Sequence, residues 1–318
     1  MAAAASTAPV SEMAKTMAGQ PAELRRILAD WEPIEAAVPR LAGRRVFVVG
    51  TGTSWHAANQ GAFFLRLAGV DALAVAAADC ALWGPRPGPS DALVLLSHRG
   101  TKLYTNEVLE QARGEEVATV AIGGIGAPGA DVETVAQETS PTFTASHLGA
   151  LARLAQLAVA LGAELGQLDA VPDAAAAALA APQPAVAPPA RGLEFVGAGP
   201  NQWTAAEGAL KVREAARLFA SGYSLEQLRH GPGFALGPGD ALVCLDGGGP
   251  ATDRLSEVAA AIEAHGARVY RLLAPELGEP LSVFPLTAYV QRVACELAVQ
   301  VASDPDDVSS PEWNAIAL

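Results

Sequence analysis

The chain has 318 residues, enough for two domains of ordinary size, each with its own core. Hydrophobic residues make up 51% and charged ones 17%, which excludes an intrinsically disordered chain. A net charge of −13, with no basic run to offset it, argues against nucleic acid as a partner. A small anion stays open, because a local cluster of donors can bind one on an acidic protein. Cys80, Cys244 and Cys295 share no metal-like spacing and lie in or beside apolar runs. They read as buried free thiols, which fits a reducing cytoplasm. The start, MAAAASTAPV, lacks a basic region followed by an apolar core, so no signal peptide is expected. No apolar run is long enough to span a bilayer, so no membrane partner is expected.

Residues 1–10 read as a tail. Helical spacing follows from Ser11 to about Val38, broken at Pro21 and Pro33, as one or two helices that cap the first domain. Arg44–Val49 reads as a buried strand running into Gly50-Thr51-Gly52-Thr53-Ser54, with a helix after it to about Leu67. Ala92–Leu96 is a second apolar strand, ending at Ser97-His98-Arg99-Gly100-Thr101-Lys102. A helix near 106–113, a strand at 117–122 and a helix near 146–165 continue the alternation. That pattern predicts an α/β fold, a mostly parallel sheet covered by helices on both faces. From Leu168 to Pro189 the sequence reduces largely to Ala and Pro, which marks an inter-domain connection.

The second half repeats the first. Gly50-x-Gly52 and Gly61-Ala62 recur as Gly197-x-Gly199 and Gly208-Ala209, at one constant offset. ALVLLSHRG from Ala92 recurs as ALVCLDGGG from Ala241. The predicted division is a helical segment 1–40, α/β units 41–168 and 191–302, a linker 169–190 and a tail 303–318.

Three stretches carry chemistry. Gly52, Thr53 and Ser54 open a helix at a strand end, where free N–H groups and hydroxyls suit a phosphate. Ser97, His98, Arg99, Thr101 and Lys102 follow the next strand and should lie at the same carboxyl edge of the sheet. An exposed polar loop would explain that stretch alone; an anion explains both together. The stretch from Gly197 to Pro232 opens with a strand-to-loop Gly-x-Gly and passes into a long helical pattern that carries Glu207, Lys211 and Glu214 at i, i+4, i+7, on one face. An ordinary surface ion pair accounts for Glu207 with Lys211, but not for Glu214 with His230. Ser224 to Gln227 has the capping-box pattern of a short helix that ends at His230-Gly231-Pro232.

Together these segments resemble the tandem sugar-isomerase (SIS) domain family, and within it the isomerase halves of the glutamine–fructose-6-phosphate aminotransferases. The carrying segments are Gly52–Ser54, Ser97–Lys102, Ala145-Ser146, Glu207-Gly208-Ala209-Leu210-Lys211 with Glu214, and Leu228–Pro232. The resemblance implies two tandem flavodoxin-like SIS domains, each a mostly parallel sheet sandwiched by helices. It implies a phosphorylated sugar or amino sugar as substrate and aldose–ketose isomerisation through an enediol, with or without amine release. Gly52, Thr53, Ser54 and the Ser97 loop would hold the phosphate. Glu214 would move the proton, His230 would assist ring opening, Lys211 would support Glu214, and Glu207 would orient the group. No metal or redox cofactor is implied, and a homodimer is. The alternative is a non-catalytic sugar-phosphate sensor.

Departures from the family pattern shape the expectation. The phosphate loop usually reads Ser-x-Ser-Gly-x-Thr, whereas here Arg99 and Lys102 replace the second Ser and the Thr. After Ala145-Ser146 the usual Thr-Lys is His147-Leu148. The stretch 304–318 has no lysine, the chain's three being Lys15, Lys102 and Lys211, so a tail Schiff base is not expected. Glutaminase activity is not expected either, since no cysteine lies near the first residue.

Overall fold

The computed structural model describes residues 10–182, 185–307, 310 and 316. The expected tail at 1–9, the middle of the Ala/Pro connection and most of 308–318 lie outside the described residues. Two parallel sheets organise the rest. The first contains β1 (Val46–Gly50), β2 (Ala72–Ala76), β3 (Ala92–Leu96), β4 (Ala118–Gly123) and β5 (Val132–Glu133), in the order β2-β1-β3-β4-β5. The second contains β6 (Leu193–Gly197), β7 (Ala220–Ser224), β8 (Ala241–Asp246) and β9 (Arg268–Leu273), in the order β7-β6-β8-β9. Every neighbouring pair is parallel.

Apolar runs form these strands because both faces are covered. Along β1, Val46 and Val48 enter one core while Phe47 and Val49 enter another. On β8, Ala241 and Val243 face one core, and Leu242 and Cys244 the other. α3 (Thr53–Leu67) and α6 (Ala145–Ala160) cover one face of the first sheet; α4 (Ala77–Leu82) and α5 (Leu103–Gly114) cover the other. α8 (Asn201–Ala216) and α11 (Gly278–Gln300) lie on one face of the second sheet, with α9 (Leu225–Arg229) and α10 (Thr252–Ala264) opposite. Cys80 and Cys244 are buried free thiols; Cys295 is half-buried.

The repeated glycines have the same physical job in both halves. A Cβ on Gly50 would lie 2.5 Å from the Ser54 carbonyl oxygen, and one on Gly197 would lie 2.2 Å from that of Asn201. Each strand-to-helix turn is too tight for a side chain. Gly61 lets α3 approach Leu154 of α6, and Gly208 lets α8 approach Val290 of α11. The repeat in sequence is thus a repeat in close contacts.

Several expectations change. Pro21 does not break the first helix: α1 runs unbroken from Glu12 to Ala29, and Pro33 falls in the first turn of α2 (Glu32–Leu41). Burial of the stripe Met13, Met17, Gln20, Leu24, Ile27 and Leu28 outweighs the backbone hydrogen bond that Pro21 forfeits. Nor does α1 cap one half alone. Met13 and Met17 join the core of the second sheet, while Leu24, Ile27 and Leu28 join that of the first. The alanines of the connection form α7 (Val171–Ala180), which packs inward through Val171, Ala175 and Ala178. The long helical pattern after Gly197 ends at Ala216, where Arg217 takes a left-handed conformation (φ 56°) and leads into β7. Ser224 stands at the cap of α9, but its hydroxyl makes no capping hydrogen bond. Among the described residues no helix is long and apolar enough to cross a membrane.

Gly208→Ala should lower stability by about 1–2 kcal/mol, although Ala favours a helix. Its methyl would lie 2.9 Å from Val290 Cβ, against an unyielding branched side chain. A melting temperature equal to or above that of the parent protein would contradict this packing.

Candidate functional site

The carboxyl edge of the first sheet opens into a cavity of about 520 Å3. Its wall is built from the β1–α3 turn (Thr51, Gly52, Thr53, Ser54), the β3–α5 loop (Ser97, His98, Arg99, Lys102) and the start of α6 (Ser146, His147). Glu214 of α8 completes it. Residues of both halves therefore meet in one cavity.

Gly52 takes φ 57°, which starts α3 at Thr53 and leaves its first turn facing the cavity. Arg99 lies with its guanidinium carbon 4.9 Å from the Phe143 ring centre and donates to the Glu138 carbonyl at 3.4 Å. Burial and the neighbouring Arg99 hold the Lys102 pKa below its ordinary value. Among the described residues neither cation forms an ion pair, and the Ser97 hydroxyl is buried without a partner. The His98 Nε2 accepts from the Glu138 N–H at 3.2 Å, and Gln137 Nε2 donates to the His98 carbonyl. Burial lowers the His98 pKa, so this ring is a neutral pin for the loop. Thr101 is exposed and lies off the cavity wall.

The expected face of α8 is present and buried. Glu207, with no exposed surface, accepts from Thr53 Oγ1 at 3.1 Å and from His56 Nδ1 at 2.7 Å. Lys211 Nζ lies 3.5 Å from Glu207 and donates to Glu214 Oε2 at 2.5 Å. Burial alone would raise the Glu207 pKa, but Lys211, His147 and His56 outweigh it and hold the carboxyl well below the usual range. Burial disfavours the Lys211 ammonium, yet Glu207 and Glu214 push its pKa up. Glu214 is half-buried and keeps a raised pKa, because burial exceeds the opposing pull of Lys211. Lys211 does not reach the cavity; it stands behind Glu214.

His230 is not brought to this cavity within the chain. It caps the end of α9 with its side chain 68% exposed, 3.7 Å from Glu226. Two histidines unassigned by sequence are in the cluster instead. His56 follows the glycine turn by one helical turn, and His147 is the position that departs from the family pattern. Burial brings the His147 pKa down to about 4. Glu138 also went unassigned; its carboxylate accepts from the N–H groups of Thr144, Ala145 and Ser146 at the start of α6.

No family model matches the chain. It is 28% identical over 327 aligned positions to the glutamine–fructose-6-phosphate aminotransferase [isomerizing] of Aeropyrum pernix, covering 88% of this chain and 52% of that protein. It is 24% identical over 326 positions to the one of Methanothermobacter thermautotrophicus, covering 92% and 55%. In sequence the chain is similar to these isomerising aminotransferases. It resembles the isomerase half of the aminotransferase and spans about half the length of these relatives. The fold agrees. The C-terminal domain of glucosamine-fructose-6-phosphate aminotransferase from Francisella tularensis superposes with a TM-score of 0.77 at 17% identity, over 96% of this chain and 100% of that one. Tagatose-6-phosphate ketose/aldose isomerase from Escherichia coli gives 0.75 at 18%, over 96% and 98%. Glucosamine-6-phosphate deaminase from Thermotoga maritima gives 0.76 at 19%, over 93% and 97%.

Glu207→Gln removes a buried charge that Lys211, His56 and Thr53 were arranged to meet. A loss of roughly 3 kcal/mol is expected, read as a lower midpoint in urea at unchanged slope. An unchanged midpoint would mean that Glu207 does not organise the cluster.

Proposed function

We propose that the chain isomerises a phosphorylated sugar or amino sugar by proton transfer through an enediol, with amine release as a variant outcome. The observation that carries this reading is one cavity with a lysine-held carboxylate, Glu214, and two cations, Arg99 and Lys102, without carboxylate partners among the described residues. The relatives' names, isomerising aminotransferase, ketose/aldose isomerase and deaminase, support the same class.

In this reading Ser97, Arg99 and Lys102, with Gly52, Thr53 and Ser54, hold the phosphate through charge-assisted hydrogen bonds and helix-start N–H groups. The ionised Glu214 takes the proton from the carbon next to the carbonyl. The C–H electrons form the C1=C2 bond and the C=O π pair moves onto the carbonyl oxygen, which takes the proton that the adjacent hydroxyl oxygen gives up. Return of the proton to the neighbouring carbon completes an aldose–ketose exchange. Lys211 orients Glu214, and the anionic Glu207 keeps Lys211 in place. We read the two sheets as two tandem domains, 41–168 and 191–302, with α1 and α7 packed across them. His230, exposed at the end of α9, fits a role in a neighbouring subunit's cavity, so the active form is read as a homodimer.

Glu214→Gln should lower kcat by about 10²- to 10⁴-fold with KM changed little. Turnover and solvent-proton exchange would be followed by NMR in deuterated water on hexose and hexosamine 6-phosphates; full exchange in the variant would rule out Glu214 as the base. Because the base must be ionised and its pKa is raised, kcat/KM should fall with decreasing pH at a point above the usual carboxylate range. An acid limb at or below that range would contradict this assignment.

Lys102→Met should raise KM by about tenfold and weaken inorganic phosphate as a competitor to the same degree, leaving kcat nearly unchanged. Equal competition by phosphate in both proteins would place the anion elsewhere. Sedimentation at micromolar concentration should give a dimer, and a monomer that retains full turnover would exclude His230 from a shared site.

A further inference from the structure

Burial alternates through Ser140-Pro141-Thr142-Phe143-Thr144, just ahead of α6, and it runs opposite to the usual order of a folded chain. Ser140, Thr142 and Thr144 have no exposed surface, whereas Pro141 and Phe143 are half-buried and line the cavity. The three inward hydroxyls are matched. Ser140 Oγ accepts from the Thr142 N–H at 3.3 Å, Thr142 Oγ1 donates to the Pro305 carbonyl at 2.8 Å, and Thr144 Oγ1 donates to Glu138 Oε2 at 3.1 Å. Phe143 joins none of the hydrophobic cores on the faces of the two sheets. Its ring meets the cationic loop instead. The His98 ring stands at 69° to it, centres 5.4 Å apart, and the Arg99 guanidinium carbon lies over its face, 4.9 Å from the centre. An arginine on an exposed loop would otherwise sample many rotamers. Here the ring holds it from one side and the Glu138 carbonyl takes one N–H at 3.4 Å, which leaves further N–H groups of the fork for a ligand. An aliphatic side chain would fill the same space, but only a ring offers the cation a negative face.

We infer that Phe143 is a positioning residue for the anion: its ring face holds the Arg99 guanidinium in place to meet the phosphate of the substrate. This rests on the reading of Arg99 as a phosphate ligand given above. A planar fork held on a ring is pre-organised for two parallel hydrogen bonds to phosphate oxygens, so less freedom is lost when the anion binds. The ring is itself braced by His98, whose Nε2 is fixed by the Glu138 N–H.

Calorimetric titration with inorganic phosphate tests the inference. Phe143→Leu should weaken phosphate about threefold to fivefold, and Phe143→Tyr, which keeps the ring, should bind it as the parent protein does. Replacing Phe143 with trifluorophenylalanine keeps the shape and removes the negative ring face. That variant should lose as much as the leucine variant, and it carries the test if the leucine variant does not fold. Arg99→Ala alone should weaken phosphate about tenfold, and adding Phe143→Leu to it should weaken it no further. Parent-like affinity in the fluorinated variant would overturn the inference alone, whatever the leucine variant does. So would a loss from Phe143→Leu as large in the Arg99→Ala background as in the parent, because the ring would then shape the loop without acting through Arg99. If the parent does not bind phosphate, or Arg99→Ala binds it equally well, the phosphate reading of the loop falls and this inference with it.

Discussion

A carboxylate without solvent cannot stand alone, and the arrangement of the two halves follows from how Glu207 is matched. Removing an ion from water costs several kcal/mol, recovered only when opposite charge and hydrogen-bond donors surround it. Two of the donors, Thr53 and His56, come from α3 of the first half; the ammonium comes from Lys211 on α8 of the second. Matching the charge therefore fixes where α8 crosses α3. Once that crossing is set, Lys211 extends to Glu214, and Glu214 enters a cavity whose other walls belong to the first sheet.

The two copies share geometry and differ in chemistry. Each has a side-chain-free turn after its first strand, at Gly50 and Gly197, and each has a glycine that lets two helices touch. At the carboxyl edge of the second sheet the equivalent space is filled. Asn201 donates to Ser282 of α11 at 2.8 Å and accepts from Thr204, and a Cβ on Gly247 would lie 2.2 Å from the Ser282 hydroxyl. Glu279 presses on Gly199 and Gly249 in the same region. A carboxylate and packed polar groups there are unsuited to an anion. The proposed division of labour, phosphate grip in one copy and proton chemistry from a helix of the other, is in keeping with this difference in packing at two equivalent edges.

Some of this was legible in residue order, for identifiable reasons. β1 and β3 are continuous apolar runs because helices cover both faces, and the i, i+4, i+7 spacing of Glu207, Lys211 and Glu214 needs only helical geometry. β2 and β7 were not, since both are short edge strands, Ala72–Ala76 with three alanines among its five residues and Ala220–Ser224 mostly Ala, Ser and Gly, residues with little intrinsic strand preference. The partners of Glu207 were equally hidden. Thr53 and His56 lie some 150 positions from it in sequence, and no local period marks such a pairing. The same holds for Glu138, whose cap on α6 comes from a loop rather than from the usual capping position. His147 was visible as a departure, but its burial beside Thr53 belongs to tertiary contacts alone.

Glu214 is subject to two opposing influences, and their balance bears on the proposed chemistry. Burial favours its neutral form, while the Lys211 ammonium favours the ionised one; burial prevails and the pKa rises. A carboxylate left in water would be a weak base, and one fully paired with Lys211 would be weaker still. A proton carrier works best when its pKa approaches the working pH, so that it both accepts and returns the proton readily. Glu207 contributes to that balance from behind. Its negative charge lies close enough to raise the Glu214 pKa further. The buried carboxylate that fixes the helix crossing thus also helps to tune the one exposed to the cavity.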